Sequence, residues 1–147
     1  MNPVRNAINT GLQRIRELQR DESDISADDL ESDDAYVNTL LEFMRGAQGP
    51  VIVLNSAKNL VRINTPAEDV CGIRQSMSEG MNILDITKER GFAATLIELC
   101  DNSANNSGLS QEGNYELQGK QYNIYVNSLM GKDGFAKGFY IAFVLDN

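Results

Sequence analysis

From Phe139 to Leu145 the chain reads Phe-Tyr-Ile-Ala-Phe-Val-Leu, apolar at every position. In an extended strand successive side chains point to opposite faces, so this segment has two apolar faces and both need cover. One face belongs to the domain core; the other has to meet a helix or a partner subunit. Other extended segments accompany it. Tyr122, Ile124 and Val126 alternate with Asn123, Tyr125 and Asn127, the period of two that marks a strand with unlike faces. Tyr115-Glu116-Leu117 precedes them, and Lys132-Asp133-Gly134 is a hairpin-type turn, because glycine tolerates the positive φ such turns require. Earlier, Pro50 to Leu54 and Leu60 to Asn64 are short apolar strands joined by the turn Asn55 to Asn59.

Helical periodicity appears at four places. Val4, Ile8, Gly11, Ile15 and Leu18 follow the alternating spacing of a coiled-coil seam, over a stretch too short to be stable alone. Val37, Leu40, Leu41 and Met44 repeat at i, i+3, i+4 and i+7, with Tyr36 and Phe43 widening the stripe and Gly46 as the stop. Thr65 to Gly72 reads as a short helix begun by Pro66 and ended by Gly72. Lys88 to Asp101 predicts a further helix with Phe92, Leu96 and Leu99 on one stripe, followed by a polar surface loop from Asn102 to Gly113.

At 147 residues, with 41% hydrophobic and 23% charged side chains, the chain suits one globular domain plus an extension. No apolar run approaches the roughly 18 residues needed to span a bilayer, and the first residues lack a signal-peptide core, which predicts a cytoplasmic protein with no membrane partner. Charge is uneven: residues 1–20 carry +3, residues 21–46 carry −8 and the remainder −3. An acidic domain of this kind repels nucleic-acid phosphate, so no nucleic-acid partner is expected. Asp21 to Asp34 reads as a solvated acidic linker, helical in its later part after Ser26.

Several chemistries are excluded by residue type. The chain has no histidine, which removes Ser-His-Asp and Cys-His catalysis and HExxH zinc sites. Cys71 and Cys100 are far apart and in no CxxC pair, so they predict reduced, packed thiols rather than a disulfide or a metal site. Gly113 to Gln121 has the wrong glycine spacing for a phosphate loop and places Gln121 where a magnesium-binding Ser or Thr belongs. Asp28, Asp29, Asp33 and Asp34 lack the spacing, glycine and terminal glutamate of a calcium loop. No catalytic and no metal residues are assigned.

The order of these elements resembles a PAS domain. An apolar strand at Val51 to Leu54, a second strand ending in Asn64, and a short helix running through Ala67 to Gly72 open the pattern. Gly80-Met81-Asn82-Ile83-Leu84-Asp85-Ile86 matches its middle, and Gly119-Lys120, Asp133-Gly134 and Asp146 punctuate its closing strands. Asn55 stands where many members have Asp. The resemblance implies an α+β fold: a five-stranded antiparallel sheet, short flanking helices on one face, and an N-terminal helical extension. The chain then divides into an amphipathic helix (1–20), an acidic linker (21–34), a cap helix (35–46) and the PAS-like domain (49–147).

The resemblance also implies a job. It points to a non-catalytic sensory and dimerisation domain of a signal-transduction protein, regulating a linked output such as a histidine kinase, a cyclic-dinucleotide enzyme or a transcription factor beyond the chain's end. The other reading is a protein-protein interaction module without a small-molecule ligand. If there is a ligand, Asn82, Asn123 and Asn127 fall in segments that line the pocket of similar domains, or else face solvent or satisfy backbone groups. The cofactor is unknown. Covalent flavin is not expected, since neither cysteine lies in the Asn-Cys-Arg-Phe run of flavin-binding members, and haem is not expected without histidine. A homodimer is expected: the Val37, Leu40, Leu41, Met44 helix packs across the sheet, and the Ile8, Ile15, Leu18 seam pairs with a second subunit. The competing arrangement folds the first helix onto its own domain and leaves a monomer.

Overall fold

The computed structural model describes residues 33–146. The helix expected over 1–20, the greater part of the acidic linker, and Ile8, Ile15 and Leu18 lie outside the described residues. The described elements run α1 (Asp33–Arg45), β1 (Val51–Asn55), β2 (Leu60–Ile63), α2 (Thr65–Cys71), α3 (Gln75–Ser78), α4 (Ile83–Ile86), α5 (Arg90–Asn105), β3 (Gln111–Leu117), β4 (Lys120–Met130) and β5 (Ala136–Leu145). The strands form one antiparallel sheet in the order β2-β1-β5-β4-β3.

The all-apolar segment becomes β5, the middle strand, flanked by β1 and β4. Its alternation divides the core in two. Phe139, Ile141 and Phe143 face an inner layer containing Ala67, Ile83, Phe92, Leu96, Leu99 and Cys100. Tyr140 and Ala142 face an outer layer in which Tyr36, Leu40 and Met44 of α1 meet Val51, Val53, Tyr125 and Leu129. Leu40 and Leu96 are each fully buried, and each contributes about 1.5–3 kcal/mol through burial.

Local signals explain most element ends. Asn64 caps α2, its side chain accepting from the Ala67 N–H, and Gly72 ends the helix in the left-handed conformation at φ 69°. In the β1–β2 turn the Asn55 side chain accepts from the N–H groups of Ala57 and Asn59, both at 3.0 Å. At the β4–β5 hairpin Asp133 accepts from the Phe135 N–H and from Lys137, and the latter contact holds its carboxyl below the ordinary range.

Some expected boundaries are corrected. The helix includes Asp33, the first described residue. Helix α5 runs to Asn105 and is not short, while β3 begins at Gln111, so the expected loop of Asn102 to Gly113 shrinks from both ends. Gly113 misled because it resembles loop punctuation. Its missing side chain instead makes room for Leu99, since a Cβ there would lie 2.8 Å from a Leu99 methyl. Helices α2 to α5 lie on one face of the sheet, and α1 lies across the opposite face. Helix α3 has no counterpart in the sequence reading. It brings Gln75 to the β2 edge, where the side chain accepts from the Ile63 N–H at 2.7 Å and donates to the Val61 carbonyl at 3.1 Å. This amide, together with Gly80 and Met81 bonding to Leu60, satisfies an edge that would otherwise be open.

Candidate functional site

The outer face of β5 is covered by α1. Helix α1 approaches it closely because Gly138 has no side chain. A Cβ there would sit 2.8 Å from a Leu40 methyl, 3.2 Å from the Leu54 carbonyl oxygen and 3.6 Å from a Val37 methyl. Val37, Leu40 and Met44 are buried against the sheet, and Leu41 packs partly buried beside them.

Past Arg45 the chain leaves the helix through a short connector and enters β1 at Val51. Between the end of α1, the connector and β5 lies a groove of about 680 Å³. Phe43, Ala47, Pro50, Tyr140, Ala142 and Val144 line it, and the Phe43 and Tyr140 rings meet edge to face at 5.0 Å. Burial pushes the Tyr140 phenol up to about 12, so it remains a protonated donor at neutral pH. The connector is held by Asn64. Its side chain accepts from the Val51 N–H at 2.9 Å and donates to the Gly49 carbonyl at 2.9 Å while capping α2. One residue therefore joins the groove's wall to the inner helical layer.

The three asparagines proposed for a pocket do not converge. Asn82 caps α4 and donates to the Ala57 carbonyl and the Asn59 side chain, tying α4 to the β1–β2 turn. Asn123 stands opposite Asn114 on β3 and accepts from its amide at 2.9 Å. Asn127 is buried and lies opposite Tyr140 in the β4–β5 register. Asn123 and Asn127 share the outer face of β4 with Tyr125, because residues two apart on a strand point the same way. Asn82 belongs to a separate turn.

The inner face, where a pocket would open between sheet and helices, is filled by apolar side chains. Phe92 stacks on Tyr115 at 5.3 Å and lies 6.0 Å from Phe143. Cys100 is wholly buried there and Cys71 packs beside the same cluster; burial pushes both thiols up to about 12, so neither is a nucleophile at neutral pH. Sequence reasoning missed the groove and its phenol. Tyr140 is one apolar letter among seven on β5, and only the seating of α1 distinguishes it.

No protein-family model matches the sequence, and no curated protein matches it. Solved structures do. A sensory box sensor histidine kinase from Vibrio cholerae superposes with a TM-score of 0.56 at 16% identity, covering 74% of this chain and 90% of that one. The PAS domain of Bordetella pertussis BvgS gives a TM-score of 0.56 at 19% identity, covering 73% and 86%. This chain has the PAS fold. A phage VqmA solved in complex with DPO matches with a TM-score of 0.60 at 16% identity, over 78% of this chain and 55% of that one. At these identities the likeness is one of fold. The five-stranded order and the short helices after β2 are PAS features, and the groove lies on the face of this PAS sheet that α1 covers.

Proposed function

We propose that this PAS domain is a non-catalytic sensory and dimerisation domain of a signal-transduction protein, regulating a linked output domain. The observation that supports it best is the seating of α1 across the outer face of β5, at the point where an incoming segment and the final strand meet. A helix held there by a buried stripe shifts as a unit, and a shift in helix packing is a common way for a signal to leave a domain. The proposed dimer is completed by the Ile8, Ile15, Leu18 seam pairing with a second copy. An acidic linker joins that seam to α1, and the protein resides in the cytoplasm; among the described residues no helix is long and apolar enough to cross a membrane.

Sedimentation equilibrium of the full chain and of an Ile8→Asp/Ile15→Asp variant tests the assembly. The expected result is a dimer for the first and a monomer for the second. A monomeric full chain at micromolar concentration removes the dimer from the reading. The tightly filled inner face favours a second reading, an interaction module without a small ligand. Native mass spectrometry of freshly purified protein separates the two: a reproducible bound metabolite supports sensing, and an empty chain favours interaction.

A further inference from the structure

We infer that the outer-face groove between α1 and β5 binds a small, flat, uncharged and largely apolar molecule whose one hydrogen-bond acceptor is taken by the Tyr140 hydroxyl. The inference deepens the sensory reading by naming a class of signal and a place for it, and it is tested by binding alone. Three observations carry it. The first is size and lining: about 680 Å³ falls inside the roughly 300–1,000 Å³ of small-molecule sites, and the walls are chiefly apolar. Secondly, Tyr140 lines the groove, and its hydroxyl makes no hydrogen bond to another described residue, which leaves it free to donate to an occupant.

The third observation is charge. Among the lining residues Glu42 alone carries a formal charge, and its carboxylate is paired with Arg45 at 3.1 Å. This pair is largely exposed, and no other lining group carries a charge that would offset the desolvation of an ion, which leaves a neutral occupant. The aromatic edge-to-face pair of Phe43 and Tyr140 favours a flat one. Because Gly49 and Val51 both line the groove and are pinned by Asn64, an occupant that moves the connector also pulls on the cap of α2.

The test uses the full chain, isotope-labelled, titrated with acetophenone and separately with ethylbenzene, which has nearly the same shape and no acceptor. Saturable amide shifts at Phe43, Ala47 and residues 140–144 are expected, with acetophenone bound about fivefold more tightly, the size of one net hydrogen bond. Tyr140→Phe, which keeps the ring, is expected to abolish that preference while leaving ethylbenzene affinity unchanged. The inference is overturned if neither probe gives saturable shifts at the groove. It is equally overturned if Tyr140→Phe retains the preference, or if groove amides respond to protein concentration instead, which would mean that a second copy covers the site. Any of these failures leaves the sedimentation result, and so the dimerisation reading, untouched.

Discussion

Phe139, Ile141 and Phe143 look into a layer built from α2, α4 and α5, whereas Tyr140, Ala142 and Val144, one residue out of step on the same strand, meet α1 and a groove. The inner side is covered by several elements that come from the middle of the chain and are tied to the sheet edge by Gln75 and Asn82. Among the described residues, the outer side is covered by one helix, attached through a five-residue connector spanning residues 46–50. The inner layer is therefore expected to loosen with the whole domain, while among the described residues the outer layer has a single helix to release. Regions that open separately are those with the fewest tertiary ties, so α1 is expected to open before the inner helices.

The sharpest way to break that comparison is to empty each face in turn. Phe92→Ala, on the inner side, is expected to cost about 3–5 kcal/mol and to lower the urea midpoint of the entire domain. Leu40→Ala, on the outer side, is expected to cost about 2–4 kcal/mol. In hydrogen exchange the Leu40 variant should lose protection in α1 first, while β1, β4 and β5 stay protected. If it unfolds in one step with the sheet, the two layers are not separable and the contrast fails.

Alkaline pH gives a smaller effect with the same logic. Burial raises the Cys71 and Cys100 thiols from 9.0 to about 12 and the Tyr140 phenol from 10.0 to about 12. In each case folding favours the neutral form, so the stabilisation is full below the unfolded value and is lost as pH rises through the window toward 12. The inner thiols respond from about pH 9 and the outer phenol about a unit later. Chemical denaturation near pH 10 should show a loss of about 1 kcal/mol for each thiol. Replacing both cysteines by alanine should flatten that slope; an unchanged slope would place its origin elsewhere.

Gly138→Ala is the mildest probe. The added methyl meets Leu40 at 2.8 Å and the Leu54 carbonyl at 3.2 Å, and only the leucine can yield. A loss of about 1–2 kcal/mol is expected, with amide shifts concentrated in α1 and β5. Shifts spread evenly through the inner helices would mean that the two faces are coupled more tightly than their contacts suggest.

Much of this architecture was legible beforehand, for identifiable reasons. The doubly apolar β5 required cover on both sides, and the Val37, Leu40, Leu41, Met44 stripe was long enough to provide it. Asn64, Pro66 and Gly72 marked α2 because capping and breaking are local chemistry. Helix α3 escaped notice since four residues carry no usable period, and its value lies in Gln75 reaching an edge twelve residues away. The placement of the three asparagines was not legible for a related reason. A strand's period assigns Asn123 and Asn127 to one face but not to an inner or outer layer, and Asn82 was already engaged in capping.

What the sequence by itself determined, then, is the set of elements, their order and the need for two covering layers, because periodicity, caps and turns act over a few residues. Only the tertiary structure decided which side of β5 was packed shut and which kept a groove. That choice depends on how far α1 can approach before Gly138, Leu40 and the Leu54 carbonyl come into contact, and on where the connector leaves the helix. Such distances arise between segments about a hundred residues apart in the chain, where no local pattern can encode them.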